Sequence, residues 1–148
     1  MRRVFKTMII AIACIAIGYT TACADNDKPI QQSELPAKAR IVLSKYFSQH
    51  KIVFTTLDIG IGSRNYNVIL QNGTKLEFDK KGSWTEIDCK QDKVPAELLP
   101  LPIIDYIRKN YPGEFVKKIE KQRKEYEVEL SNDIDITFNK HFQVIDID

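Results

Sequence analysis

The sequence contains the same strand–turn–strand pattern twice, and this repeat limits the folds that the chain can adopt. The first copy covers residues 66–78 and the second covers residues 126–138. In both copies, apolar and polar residues alternate on each side of a short polar turn. Alternation with a period of two is typical of an antiparallel strand that buries one face. The sequence therefore predicts two β-hairpins whose apolar sides face a core.

The turns of the two copies differ in their residues. Asn72-Gly73 suits a two-residue type I′ turn, because both central residues of that turn adopt positive φ. The second copy has Asn132-Asp133 at this position, and His141-Phe142 where the first copy has Lys81-Gly82. Since residues with a side chain disfavour positive φ, we expect looser turns in the second copy.

An amphipathic helix is predicted before each hairpin. Residues 35–50 and residues 99–110 place apolar side chains on one face at a spacing of 3.6 residues. Short strands are predicted on both sides of each hairpin, at residues 51–59, 84–89, 115–120 and 142–148. The chain thus consists of two units, each with one helix followed by four strands.

These patterns predict the domain organisation and the fold class. The units are residues 35–89 and 99–148, joined by a linker at 90–98 and preceded by a flexible lead-in at 25–34. Each helix must bury its apolar stripe against a sheet. We expect an α+β fold in which two tandem helix-plus-four-strand repeats form one extended antiparallel sheet with the helices on one face.

The first 24 residues have the layout of a secretory signal peptide. Arg2, Arg3 and Lys6 precede an apolar stretch at 8–18, and small residues precede a cleavage position after Ala24. The apolar stretch is too short to span a bilayer. Cleavage would leave 19 basic and 20 acidic residues, a formal charge of about −1. We therefore expect a periplasmic or secreted protein, with no membrane span after signal removal.

The cysteines leave two interpretations of the N-terminus open. Cys23 is an alternative site of lipidation, which would anchor the protein to a membrane. Cleavage after Ala24 would instead leave Cys89 as the only cysteine, which excludes an intramolecular disulfide. We interpret Cys89 as a buried structural residue, because a free cysteine is commonly buried.

Several short motifs, in the same order in both units, resemble the PepSY-like family of small exported bacterial proteins, which is also described as beta-lactamase-inhibitor-like. These motifs are Lys45-Tyr46-Phe47, Asn110-Tyr111-Pro112-Gly113, Lys118-Ile119-Glu120, the segment 126–130 and the Phe78-Asp79-Lys80-Lys81-Gly82 turn before Trp84. The resemblance covers nearly all of the mature chain. It implies a tandem repeat with an extended antiparallel sheet, located in the periplasm or cell envelope. The likeness in name to an inhibitor rests on fold and does not establish inhibition.

The sequence lacks the residue patterns that common enzyme classes require. It has two histidines, His50 and His141, and neither lies at metal-ligand spacing from cysteine, histidine or carboxylate residues. Nucleophile-elbow, phosphate-loop and dinucleotide motifs are absent from the sequence. The mature chain also has no clustered basic stretch of the kind that binds nucleic acid. We expect a non-enzymatic protein without a cofactor or a nucleic-acid partner.

Two acidic pairs are candidate cation ligands. Glu86 with Asp88, and Asp146 with Asp148, are predicted at equivalent strand ends with both carboxylates of a pair on one face. Calcium requires six to eight oxygen ligands, so each pair alone falls short of a site. A small-ligand or calcium-binding envelope protein is therefore the alternative function.

The sheet face opposite the helices is the candidate partner-binding surface. If Val68 and Val128 face the helices, as do the apolar residues that alternate with the polar ones in both hairpins, then Ile69, Glu127 and Glu129 lie on the opposite face. The alternation of residues 84–89 places Trp84 there too, provided that Ile87 points inward. An exposed Trp beside an apolar residue is typical of a protein-binding hot spot. We predict an exported binding protein that engages an unidentified envelope or secreted protein through this face, with inhibition as one form of that activity.

Overall fold

The computed structural model, which describes residues 27–148, consists of two helices and nine antiparallel strands. The helices are α1 (Ala37–Tyr46) and α2 (Leu101–Asn110). The strands are β1 (Asp27–Pro29), β2 (Ile52–Gly60), β3 (Ser63–Leu70), β4 (Lys75–Phe78), β5 (Trp84–Asp88), β6 (Val116–Lys121), β7 (Glu125–Leu130), β8 (Asp135–Asn139) and β9 (Val144–Ile147). Each predicted strand is present, and both helices begin about two residues later than predicted because proline occupies their N-terminal cap positions, Pro36 and Pro100.

The nine strands form a single open sheet in which strand order follows chain order. Each unit supplies a helix and four strands, β2–β5 and β6–β9. The units join where β5 pairs with β6, with Glu86 opposite Glu120 and Ile87 opposite Ile119. The predicted α+β fold, with two repeats in one extended antiparallel sheet, is confirmed.

The core lies between the two helices and one face of the sheet. Val68 on β3 and Val128 on β7, which occupy equivalent positions in the two units, are both fully buried. Other fully buried side chains of the core are Ala39, Leu76, Phe78, Ile87, Ile103, Ile119, Leu130, Ile136 and Phe138. Buried residues alternate with more exposed ones along β3, β4, β7 and β8, which shows that the helices cover only one side of the sheet. We call the opposite side the helix-free face.

The expectation of a flexible lead-in is wrong for residues 27–30. Asp27–Pro29 forms β1 and pairs with β2, with Lys28 opposite Leu57. The Ile30 N–H donates to the Thr55 carbonyl oxygen at 3.1 Å, and the Ile30 side chain packs against the core. Pairing with the outer edge of β2 supplies the hydrogen bonds that hold this polar segment in place.

The turns of the second unit are as tight as those of the first, contrary to expectation. The Asp133 N–H donates to Leu130 O at 3.0 Å, as the Gly73 N–H does to Leu70 O at 2.9 Å. Asp133 and Phe142 adopt φ values of 64° and 61°. In the turn between β8 and β9, the side-chain oxygen of Asn139 accepts hydrogen bonds from the N–H groups of residues 141 and 143 and so holds the turn.

The predicted signal peptide, its cleavage after Ala24 and the alternative lipidation site Cys23 lie outside the described residues. Within residues 27–148, neither helix has the length and apolarity needed to cross a membrane.

Candidate functional site

Four glutamates on consecutive strands lie directly opposite one another on the helix-free face. Glu77 on β4 is opposite Glu86 on β5, Glu86 is opposite Glu120 on β6, and Glu120 is opposite Glu127 on β7. We call these four residues the acidic ladder. Directly opposed residues on neighbouring antiparallel strands have Cβ atoms about 5 Å apart, and like charges in such pairs destabilise a sheet. The ladder crosses the junction between the two units, so both repeats contribute to one surface.

Burial and mutual repulsion raise the pKa values of carboxyls on this face. The pKa of Glu77 is raised by burial and by the charge of Glu86, against a lowering by the hydroxyl of Thr85, which donates to Glu77 Oε1 at 3.1 Å. The pKa of Glu127 is raised by burial and then by the charge of Glu120. Both groups bind a proton more readily than an exposed glutamate, which reflects a local excess of negative charge.

Two lysines in the adjacent row of the helix-free face offset part of this charge. Lys75 Nζ lies 3.7 Å from a carboxylate oxygen of Glu86, and Lys118 Nζ lies 3.8 Å from the other oxygen. Burial lowers the pKa of Lys118, but the carboxylates of Glu86, Glu120, Asp88 and Glu127 raise it by more, so that the net shift is upward. The two lysines make their closest contacts with Glu86. They also lower the pKa values of the carboxyls at the ends of the ladder, Lys75 that of Glu77 and Lys118 that of Glu127, but burial and the neighbouring glutamates outweigh them and both net shifts stay upward.

An apolar pair lies beside the acidic ladder. Phe54 on β2 is opposite Ile69 on β3, and these side chains are 49% and 38% exposed. Sequence analysis identified Ile69 but missed Phe54, because a β-bulge between Ile52 and Phe54 interrupts the alternation of β2. Phe54 is therefore the aromatic residue that the structure places on the helix-free face.

The predicted outward orientation of Trp84 is wrong. Trp84 is opposite Phe78, which is fully buried under the helices, and Trp84 packs against the core. A bulge lies between the pair Glu77–Glu86 and the pair Phe78–Trp84. The extra residue, Thr85, reverses the side-chain direction that simple alternation predicts. Trp84 lines a cleft with Ile41 and Val42 of α1 on the helix side of the sheet.

The other predicted contact residues lie together on the helix-free face. Ile69, Glu127 and Glu129 alternate with core residues of β3 and β7. Glu129 is opposite Asp135, and Glu129 Oε1 is 2.9 Å from Lys117 Nζ. Burial and the charge of Glu129 raise the pKa of Asp135. Their role in partner binding stays a prediction.

The two predicted acidic pairs are not brought together. Glu86 and Asp88 lie on β5, whereas Asp146 lies on β9 and Asp148 directly follows it. These strands are separated by β6, β7 and β8. Since neighbouring strands are about 4.8 Å apart, the pairs are roughly 19 Å from each other. Across residues 27–148, no three histidine, cysteine or acidic residues are grouped so that they could hold a metal ion.

Cys89 is a buried thiol at the end of β5. It is 3% exposed, and burial raises its pKa to about 11, against a smaller lowering by the Thr74 hydroxyl. A thiol with this pKa is protonated at neutral pH, whereas the reactive form of cysteine is the thiolate. This environment favours the structural interpretation of Cys89.

A family model described as "Putative beta-lactamase-inhibitor-like, PepSY-like" matches residues 64–146, which is more than half of the chain. The chain belongs to the PepSY-like family. The match begins in β3 and ends in β9, so it includes the acidic ladder and the junction between the units. The description of the family names no enzymatic activity.

Solved structures of similar proteins have the same fold as this PepSY-like chain. A "putative periplasmic protein" of the DUF2874 family from Bacteroides vulgatus is 44% identical, with a TM-score of 0.83, and the match covers 84% of this chain and 98% of that one. A "putative calcium-regulated periplasmic protein" from Bacteroides thetaiotaomicron is 43% identical, with a TM-score of 0.80 and the same coverage of both chains. A "putative periplasmic protein of unknown function" from Bacteroides vulgatus is 35% identical, with a TM-score of 0.77 and coverage of 82% and 98%. No functionally curated protein matches the sequence.

Proposed function

We propose that this PepSY-like protein is a non-enzymatic binding protein of the periplasm, and that it binds the basic surface of a protein partner on its helix-free face. The acidic ladder carries this proposal. Four directly opposed glutamates weaken the sheet that contains them, so the stability of the free protein alone does not account for them. A partner that supplies lysine or arginine side chains would remove this repulsion on binding.

The apolar pair beside the ladder supports a protein partner over a small cation. Protein interfaces typically combine a buried apolar or aromatic centre with a polar rim. Phe54 and Ile69 would form the centre, with Lys75 directly opposite Ile69. The ladder, with Glu129 and Asp135, would form a mostly acidic rim on that side. Complementary charge raises the rate of association and selects among partners.

The periplasmic location is proposed from two observations. The N-terminal sequence has the layout of a signal peptide, and three relatives of similar length are called periplasmic proteins. The family's description as inhibitor-like makes an enzyme of the envelope the first class of partner to test. Inhibition would then follow from occupation of a basic surface that the enzyme needs for its substrate.

A crosslinking pulldown with matched variants tests the proposal. The face variant carries Phe54→Ser and Glu127→Gln, and the control variant carries Ile41→Ser and Leu101→Ser, at helix positions that are 60% and 72% exposed. We expect the wild-type and control proteins to capture the same protein from envelope extract, and the face variant to lose it. Capture should weaken as salt is raised, because exposed charges are screened. Equal capture by all three proteins would refute the helix-free face as the binding surface.

Calcium binding is the second candidate function, and the name of the Bacteroides thetaiotaomicron relative favours it. Glu86 belongs to the acidic ladder and Asp88 lies on the same face, where the charge density attracts cations. Within the described residues the carboxylates do not form a ready-made cage, so a calcium site would require further oxygen ligands from water or a partner.

Calorimetric titration with calcium distinguishes the two candidates. An ion that binds only the folded protein must raise its melting temperature. We expect heat and a thermal shift that are lost in a Glu86→Gln, Asp88→Asn variant but kept in an Asp146→Asn, Asp148→Asn variant, since only the first pair includes a residue of the ladder. Absence of heat and of any thermal shift at millimolar calcium would exclude this function.

A further inference from the structure

The junction between the two units shows which kind of strand pairs with the outer edge of β5. At that junction, the outer edge of β5 pairs with β6, and Ile87 is opposite Ile119 in the core. Asp88 is opposite Lys118, whose Nζ also lies 3.8 Å from Glu86. Strand β6 therefore binds β5 through Ile119 on the helix side and Lys118 on the helix-free side, and it does so although Glu120 lies opposite Glu86.

Strand β9 is the counterpart of β5 in the second unit. Leu76 is opposite Ile87 in the first unit, and Ile136 is opposite Ile147 in the second. Asp146 corresponds in the same way to Glu86, and Asp148 to Asp88. Even the bulge that precedes these pairs is repeated. The outer edge of β9 thus has the same side-chain pattern as the edge that receives β6.

This edge is open in the described part of the chain. Strand β9 is the last in the sheet order and pairs only with β8 among residues 27–148. Ile147 is 47% exposed, whereas its counterpart Ile87 is fully buried. Ile145 beside it is 51% exposed. In the first unit, by contrast, both outer strands are paired: β5 pairs with β6, and β2 pairs with β1.

The backbone groups of Ile147 point away from β8. Asp135 and Asp148 exchange two hydrogen bonds of 3.0 Å, with each N–H donating to the other residue's carbonyl oxygen. Successive residues of an antiparallel strand direct their N–H and C=O groups to opposite sides. The N–H and C=O of Ile147 are therefore directed to the outer edge, as those of Ile87 are directed to β6. In the free protein the Ile147 N–H donates to Asp146 Oδ1 at 3.1 Å, a hydrogen bond that a bound strand would replace.

We propose that the outer edge of β9 binds an extended segment of a partner protein by strand addition, and that this segment carries an apolar residue preceded by a basic one, as Ile119 of β6 is preceded by Lys118. An apolar residue of the segment would pack on Ile147 from the helix side. A lysine or arginine next to it would lie opposite Asp148, as Lys118 lies opposite Asp88. Strand addition of this kind takes its affinity from main-chain hydrogen bonds and its specificity from alternate side chains.

Charge argues against a second copy of this chain as the occupant. In an antiparallel pairing of two β9 edges centred on Ile147, Asp146 of each copy would lie opposite Asp148 of the other. Like charges directly opposite each other destabilise a strand pair. The edge is therefore complementary to a basic strand and not to itself. This proposal is independent of the helix-free face, because it uses a different surface.

The protein's own β6 sequence is a direct probe of this edge. A labelled peptide with the sequence of residues 115–121 is titrated with the whole mature chain by fluorescence anisotropy. Chemical-shift changes in NMR spectra of the isotopically labelled protein then locate the bound peptide. We expect saturable binding in the millimolar range or tighter, with chemical-shift changes confined to β9 and its neighbours. The peptide should not bind at β5, because that edge is already occupied by the tethered β6, whose effective concentration exceeds that of the free peptide.

Two N-methylated peptides provide a matched pair. In strand β6, the N–H of Ile119 faces β5, whereas the N–H of Lys118 faces β7. N-methylation at the position of Ile119 should weaken binding about tenfold, the effect of one lost main-chain hydrogen bond, whereas N-methylation at the position of Lys118 should leave it unchanged. A peptide with Lys118→Glu should also bind more weakly, and more so at low salt.

Three results would overturn the proposal. The first is the absence of binding at about 1 mM wild-type peptide. The second is equal weakening by the two N-methyl groups, which would show that the peptide does not bind as a strand in the β6 register. The third is a concentration-dependent dimer in sedimentation whose formation excludes the peptide, which would make a second copy the occupant of the edge.

Discussion

At the scale of single residues, Glu127 links stability to the proposed binding surface. Its carboxylate is half-buried opposite Glu120, and both features raise its pKa above the ordinary value of 4.5. The folded state therefore binds this proton more tightly than the unfolded state does. Ionised Glu127 destabilises the fold, and this penalty is complete above the raised pKa and disappears as the pH falls below 4.5.

We predict that Glu127→Gln stabilises the free protein while it weakens partner capture. The free energy of unfolding at pH 7 should rise by about 0.5 kcal/mol, the size of a cross-strand like-charge effect. The gain should shrink as the pH is lowered toward 4.5. Urea denaturation at a series of pH values measures this. Glu125→Gln serves as the control and should change stability little. Glu125 is exposed, lies on the same strand as Glu127 and is opposite the uncharged Asn139 of β8. A loss of stability in Glu127→Gln at pH 7 would contradict the prediction.

Trp84 provides the second prediction at this scale. Because its side chain is partly buried against the core, Trp84→Ala should lower the free energy of unfolding by about 2 kcal/mol, less than the value for a fully buried tryptophan. Partner capture by the folded variant should be unaffected. Trp84→Phe, which keeps an aromatic ring in the cleft, should lose less stability. Unchanged stability in Trp84→Ala would place the side chain on the helix-free face after all.

At the scale of elements, the turn between β4 and β5 fixes the start of α1. Gly82 has a φ of 79°, and a Cβ atom added there would lie 2.7 Å from Pro36 Cβ and 3.0 Å from the Ala39 nitrogen. Gly62, in the turn between β2 and β3, has the same φ but no heavy atom within 4 Å of such a Cβ. The two glycines therefore share their backbone requirement and differ in their surroundings.

We predict that Gly82→Ala is more destabilising than Gly62→Ala. Both substitutions incur the strain of positive φ, about 1 kcal/mol or more. Gly82→Ala must in addition displace the first turn of α1, which we expect to add about 1 to 3 kcal/mol, as overpacking does in a core. Urea denaturation of the two variants under one condition gives the difference directly. Equal losses would mean that α1 shifts freely relative to this turn.

The elements that depend on local sequence were predictable, and those that depend on pairing were not. Alternation of residues identified both hairpins, and the helical spacing identified α1 and α2. Strand β1 was missed because its polar residues Asp27, Lys28 and Pro29 are ordered by pairing with β2 and not by burial. Trp84 and Phe54 were misassigned or missed because a bulge depends on the register between two strands.

The acidic ladder was missed for a related reason. Sequence analysis placed Glu127 and Glu129 on the helix-free face and treated Glu86 as part of an acidic strand end. The direct opposition of Glu86 and Glu120 depends on the pairing of β5 with β6, which joins residues of different units. Periodicity within one strand defines which face a residue occupies, but it does not define which residue lies opposite across the sheet.

At the scale of the whole molecule, the two units share one sheet and one core. Strands β5 and β6 pair at the junction, and Ile87 of the first unit is fully buried opposite Ile119 of the second. Buried residues of both units belong to a single hydrophobic cluster. A continuous core of this kind couples the stability of its parts, so we expect the two repeats to unfold together.

A substitution in the second unit, detected by a probe in the first, tests this coupling. Ile136 is fully buried on β8, and Ile136→Ala should lower the free energy of unfolding by about 3 kcal/mol. Trp84, the only tryptophan, lies in the first unit and reports its unfolding by fluorescence. We predict that Trp84 fluorescence and far-ultraviolet circular dichroism of the variant show one shared transition, moved to lower urea. A wild-type fluorescence midpoint with a two-step dichroism curve would show independent repeats. In that case the acidic ladder, to which the first unit contributes Glu77 and Glu86 and the second Glu120 and Glu127, would not be held as one surface.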